Sequence, residues 1–201
     1  GASTWEDHGD LKILGDSNPH YFYGIDLTAS YKGFDFRCFL QGVLKHDFWP
    51  GESSYFWGVR GGYSKWYTIG LEQHNDYFRD QPIGLEGYEL PVNLDSYYPR
   101  PITSANSNGN TFGSKNQQTQ SRYMQNAGYM RLKNLQLGYS LPKSVLDKVG
   151  IANCRVFVSG ENLLTFTSLS SIFDPETCVG GWGGNAYPLS STWSFGLSVT
   201  F

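Results

Sequence analysis

The residues best equipped for chemistry in this chain are its aromatic rings and a small set of charges, and the two groups fall in different kinds of segment. Trp49, Trp57, Trp66 and Trp182, with Trp5, stand in stretches that have no regular periodicity, and Tyr55, Tyr63, Tyr67, Tyr97 and Tyr98 join them there. Rings with a polar handle stack on sugars or fill pockets of a protein partner. A long loop also needs rings for a core of its own, and that use is the favoured one. Asp35, Arg37, Lys45, Arg155 and Glu161, with Asp26, instead alternate with apolar residues. Asp174-Pro175-Glu176 offers two carboxylates close together, either as a cation site or, the favoured reading, as a turn whose oxygens cap backbone N–H groups. His8, His20, His46 and His74 are dispersed, without metal-ligand spacing. No GxSxG, HExxH or diagnostic carboxylate pair is present. The expectation is a chain that is not an enzyme and calls for no metal or cofactor.

The elements that must position these groups read as strands. The chain has 201 residues, with 14 Tyr, 13 Phe, 6 Trp and 24 Gly but only 16% charged residues, a β-rich and turn-rich balance. No apolar run approaches the roughly 18 residues of a membrane helix, whereas alternating strands would escape a hydropathy window. A net charge of −3 argues against a nucleic-acid surface. Cys38, Cys154 and Cys178 show no disulfide framework. The first residues look like neither a signal peptide nor a protein start, so a piece of something longer is expected.

At 192–201 the alternation is strict. Trp193, Phe195, Leu197, Val199 and Phe201 interleave with Ser194, Gly196, Ser198 and Thr200, giving one bulky apolar face and one small polar face. Its length matches the roughly 9–11 residues of a tilted membrane strand. The same pattern recurs at 20–32 and 34–46, joined by Lys32-Gly33 as a hairpin turn. It recurs again at 122–141, where the phase changes and a bulge near Lys133-Asn134 would reconcile the two halves. At 152–167, Cys154, Val156, Val158, Leu164 and Phe166 point one way and Arg155, Ser159, Glu161 and Thr165 the other. Phe157 and Leu163 break the polar side. Tyr21, Tyr23, Tyr139 and Trp193 near strand ends suit an interfacial aromatic girdle. The segments 1–19, 48–121 and 168–191 read as long loops on one side, and 32–33 and 142–151 as short turns on the other. Five strands cannot close in lipid, where an open edge is forbidden, so they imply a larger barrel.

Several stretches carry a family resemblance. GYMRLKNLQLGYSLPKSVLDKVGI (128–151), RVFVSGENLLTFT (155–167), DPE (174–176), YPLSSTWSFGLSVTF (187–201) and the hairpin GIDLTASYKGFDFRCFLQG (24–42) resemble the closing part of SusC/RagA-type TonB-dependent transporters. The resemblance implies an all-β fold: about five antiparallel strands forming the C-terminal part of a 22-stranded transmembrane barrel of the outer membrane of Bacteroidota, with long extracellular loops. It also implies a plug domain in the lumen, a SusD-like surface lipoprotein as lid, TonB as energy source, and a glycan or peptide as substrate. Asp35, Arg37, Lys45, Arg155 and Glu161 would then face the lumen and plug. Trp49, Trp57, Trp66, Tyr98 and Trp182 would meet substrate or lipoprotein, and Trp193, Phe195, Leu197, Val199 and Phe201 would form the barrel-assembly signal. A soluble carbohydrate-binding β-sandwich using the same aromatics is the alternative, and an outer-membrane enzyme barrel a third class without a visible nucleophile.

Overall fold

The computed structural model describes residue 4 and residues 6–50, 56, 71–100, 119–178 and 186–201. Five long strands form one antiparallel sheet: β1 (His20–Tyr31), β2 (Phe34–Lys45), β5 (Tyr129–Ser140), β6 (Asn153–Thr167) and β7 (Thr192–Thr200), in the order β1-β2-β5-β6-β7. The alternation forces this arrangement, since each strand has one face that water disfavours. Lys32 and Gly33 close the first hairpin with positive φ at both positions, 47° and 88°, the handedness that matches the strands' own twist. A single helical turn, α1 (Lys143–Leu146), follows Pro142 and tucks Leu146 inward. Gly150, with φ 70°, turns the chain back so that the Ile151 N–H reaches the Leu146 carbonyl.

The phase change in β5 is a bulge. Phe39 pairs with Asn134 but Leu40 with Leu132, so Lys133 is the extra residue against β2. Against β6 the step from Asn134 to Leu132 spans Glu161 to Leu164, and Asn162 takes a left-handed φ of 52° to absorb it. Lys133 and Asn134 consequently serve the same face.

Cross-strand rows show what the alternation builds. One face carries Leu27, Cys38, Leu135, Gly160 and Trp193 in one row, and Ala29, Phe36, Leu137, Val158 and Phe195 in the next. Tyr31, Phe34, Tyr139, Val156 and Leu197 follow. Most of these side chains are exposed, Phe195 and Leu197 strongly so. A continuous apolar wall of this extent is foreign to a water-facing surface. No second sheet covers it among the described residues, which removes the packing that a β-sandwich needs. The opposite face is mostly polar, with Phe39 and Phe157 among its residues.

The apolar core lies elsewhere, above the loop end of the sheet. Phe48, Phe56, Tyr98, Tyr123, Ala127, Leu169, Phe173 and Cys178 are buried together, with Trp49, Tyr77, Tyr97 and Ile172 packed against them. The loop expected at 48–121 is tied into this core by a two-residue pairing of β3 (Asp47–Phe48) with β4 (Gln125–Asn126). The strand expected at 122–141 accordingly starts at Tyr129. Residues 121–128 form a 3-10 turn and this short ladder instead, because Tyr123 and Ala127 are drawn into the loop core.

Candidate functional site

The polar face of the sheet and the loop core above it together form the candidate site. Asp35, Gly138, Phe157 and Gly196 occupy one row, and Arg37, Gln136, Ser159 and Ser194 the next. Glu161 faces Asn134 and Thr192. Strand alternation carries Lys45 to this face at the loop end. The sheet therefore presents all five charges of the set Asp35, Arg37, Lys45, Arg155 and Glu161 on one side. Three of them are neutralised within the wall. Arg155 reaches across β5 and holds Asp35 with both nitrogens, Nε to Oδ1 at 2.9 Å. It can do so because Gly138 lies between them: a Cβ there would stand 2.5 Å from Arg155 Nη2 and from Asp35 Oδ1. Arg37 pairs with Asp26, Nη2 to Oδ2 at 2.7 Å. Phe157, the residue that interrupts the polar pattern, lies over Gly196, where a Cβ would sit 2.1 Å from its Cζ. Arg155 covers the same ring at 4.8 Å, a cation–π contact.

A second cluster joins wall to loop. Arg131 is buried on β5 and donates to Thr165 Oγ1 at 2.7 Å and to Asp174 Oδ2 at 2.8 Å, with its other nitrogen 2.8 Å from Glu176 Oε1. Lys133, turned to the polar face by the bulge, holds Glu176 Oε2 at 3.0 Å. Asp174 Oδ1 accepts the Glu176 N–H at 2.9 Å and Oδ2 the Leu189 N–H at 3.2 Å. The turn chemistry expected of Asp174-Pro175-Glu176 is present, and the charged partners of its carboxylates are the guanidinium of Arg131 and the ammonium of Lys133. Burial works to raise the Asp174 carboxyl, but Arg131 and the two N–H donors outweigh it and hold it below its ordinary range. The sequence marks the carboxylates but not their partners, 43 residues away.

The loop aromatics divide. Tyr98 was expected at a ligand or partner surface and is instead buried at 7% exposure, edge-on to Phe56 at 5.4 Å and to Tyr97 at 5.0 Å. Desolvation pushes its hydroxyl's pKa up. Trp49 is half-buried against the same core. Trp57, Trp66 and Trp182, with Trp5, Tyr55, Tyr63 and Tyr67, lie outside the described residues. Trp193, Phe195, Leu197 and Val199 share the apolar face of β7, and Phe201 follows it, exposed. Among the described residues no cluster of His, Cys, Asp and Glu could hold a metal ion.

No family model matches the chain. Curated relatives do. It is 30% identical over 203 residues to TonB-dependent receptor P3 of Formosa agariphila, covering 96% of this chain and 17% of that protein. To TonB-dependent receptor P26 of the same organism it is 25% identical over 219 residues, covering 100% of this chain and 20% of the relative. Among solved structures, the RagAB peptide transporter superposes with a TM-score of 0.65 at 25% identity, over 95% of this chain and 18% of that one. The RagAB peptide importer in its open-open state gives 0.61 at 23% identity, over 100% of this chain and 19% of that one. The chain thus spans a fifth or less of the length of the proteins it matches.

Proposed function

We propose, from the premise that this chain belongs by sequence and fold with the TonB-dependent receptors, that it forms one wall of an outer-membrane nutrient importer. The observation that carries the reading is the two-faced sheet: an apolar face on one side, charges paired across a polar face on the other, and two edge strands, β1 and β7, with the apolar face uncovered and both edges unpaired among the described residues. Lipid satisfies the first face and an aqueous or plugged lumen the second, while an open edge in lipid leaves N–H and C=O groups unsatisfied. In this reading Asp35, Arg37, Lys45, Arg155 and Glu161 face the lumen and its plug domain, and β7 from Trp193 to Val199 is part of what the assembly machinery reads. The loop core holds up a rim for a SusD-like surface lipoprotein. TonB supplies energy through a part of the receptor outside this chain, and the cargo is a glycan or a peptide.

Uptake tests the proposal. Cells carrying the complete receptor should take up labelled oligosaccharides or peptides from a mixture, lose that uptake when TonB is removed, and hold the receptor in the outer-membrane fraction. Uptake indifferent to TonB, or a receptor found in the soluble fraction, would overturn it.

A further inference from the structure

The segment before β1 is strapped onto the corner where β2 passes into β3. The Asp16 N–H donates to Asp47 Oδ2 at 3.0 Å, and the Asp47 N–H donates to the Asp16 carbonyl at 3.2 Å. Gly15 permits the approach, since a Cβ there would stand 2.5 Å from Asp47 Oδ2. Asp16 Oδ1 accepts the Asn18 N–H at 2.9 Å, and its Oδ2 lies 2.9 Å from His20 Nε2. The carboxylate of the strap is thus engaged within the strap itself.

Against this strap lies His46, only 3% exposed although Asp16, Ser17 and Asn18 are on the surface. Its ring hydrogen-bonds to the backbone of Ser17. Its carbonyl accepts the Ala127 N–H at 2.8 Å, at the foot of the loop core. Residues of this chain alone bury it, so further parts of the receptor can only add to its cover. The charged and titratable groups around it are Lys45 and Asp47 on either side in sequence, and Asp16 and His20 from the strap. The neighbouring β4, Gln125–Asn126, brings none. Desolvation drives the imidazole below its ordinary value of 6.5, against the Ser17 bond and the Asp47 charge, which work to raise it. A proton on His46 therefore favours an opened strap, where the ring meets water. Closure is complete above pH 6.5, weakens as pH falls below it, and levels off past the lower, folded value.

We propose that residues 14–18 are an acid-released latch with His46 as its trigger: once protonated, the ring leaves the corner between strap and β3, and the strap lifts from the foot of the loop core. Release belongs to mild acid, before Asp16 loses its charge, because the Asn18 N–H and then His20 hold that carboxyl below its ordinary 3.8. The inference goes beyond import, because the latch would act whatever cargo the barrel carries.

Hydrogen exchange of the complete receptor in its membranes, read by mass spectrometry on peptides spanning 14–18 and corrected for the intrinsic effect of pH, tests it. From about pH 8 to about pH 5 the opening at Asp16 should rise, by no more than about tenfold per pH unit, the limit for one proton. The amides of β1 and β2 should keep their protection. His46→Gln retains a neutral donor and should abolish the rise, whereas His20→Gln should leave it in place. Should Gln fail to close the strap at pH 8, exchange at C2 of the His46 ring, followed in the parent receptor, decides: its midpoint should lie below 6.5. Opening unchanged between pH 8 and 5, a rise that survives His46→Gln or disappears in His20→Gln, or a ring midpoint at or above 6.5 would overturn the proposal.

Discussion

Replacing Arg131 by Met should release the segment around Asp174, Glu176 and Leu189 from the barrel wall without dismantling the sheet. The Arg131 side chain is 4% exposed and its partners Asp174 and Glu176 are 6% and 16%, so solvent screening offers little relief. Removing one member of such a buried pair strands the others and costs about 3–5 kcal/mol. At 1.36 kcal/mol per power of ten, the opening equilibrium of the loop should rise by roughly two to four orders of magnitude. The amides of Glu176 and Leu189 report it directly, since both donate to Asp174. Hydrogen exchange at 172–178 and 186–191, read by mass spectrometry in the complete receptor, should accelerate there while the amides of β5 and β6 keep their protection. Arg131→Met with Asp174→Asn and Glu176→Gln removes the stranded charges and should return exchange to within about tenfold of the parent. Parental exchange in the single variant would refute the idea that this cluster fastens the loop. The pH limb has a definite sign. Asp174 is held below its ordinary value of 3.8, so its contribution is complete above that value. It is lost as pH falls through the lower, folded one, and exchange at Leu189 should speed up only in acid below about pH 4.

Other expectations follow from the same geometry. Leu197→Arg places a charge on the apolar face of β7 and should destabilise the barrel by about 2–4 kcal/mol if it sits at the membrane midplane; urea titration in lipid measures it. A cysteine at 197 should react with a lipid-soluble reagent and one at 198 with a water-soluble reagent, and the reverse pattern would discard the register. Gly196→Val drives a side chain into the Phe157 ring and should cost about 1–3 kcal/mol as overpacking, recovered when Phe157→Ala is added. Cys178 is buried, donates to the Pro175 carbonyl, and has its thiol pushed up to about 11 by burial. Alkylation at pH 8 should therefore be slow, with about one thiolate in a thousand available, and should quicken in Arg131→Met.

Period-two alternation is a local signal, which is why the five long strands and their two faces are readable from residues a few positions apart. The bulge was legible for the same reason: parity on the two sides of Lys133 disagrees within one stretch of sequence. Phe157 stood out as an anomaly, yet its explanation needs Gly196, a residue on another strand that only the register brings beneath it. The clasp of Arg131 and Lys133 on Asp174-Pro175-Glu176 was hidden by sequence distance, and β3 and β4 are too short to show a period. Tyr98 illustrates the remaining difficulty. In a segment without periodicity an aromatic ring gives no sign of which way it faces, and three-dimensional closure of the loop decides it.

The pairing of Phe157 with Gly196 bears on the width of any passage that this wall borders. A ring standing upright on the polar face would narrow the clearance of a passage bordered by that face by the length of its side chain. Lying over the bare backbone of the next strand, it spends that length sideways. Gly138 does the same for the Arg155–Asp35 bridge, which crosses a strand without rising over a side chain. The bore of such a pore is then governed by where its glycines fall as well as by how many strands enclose it. Enlarging one of them would act as a constriction even where every charge and every strand stayed in place.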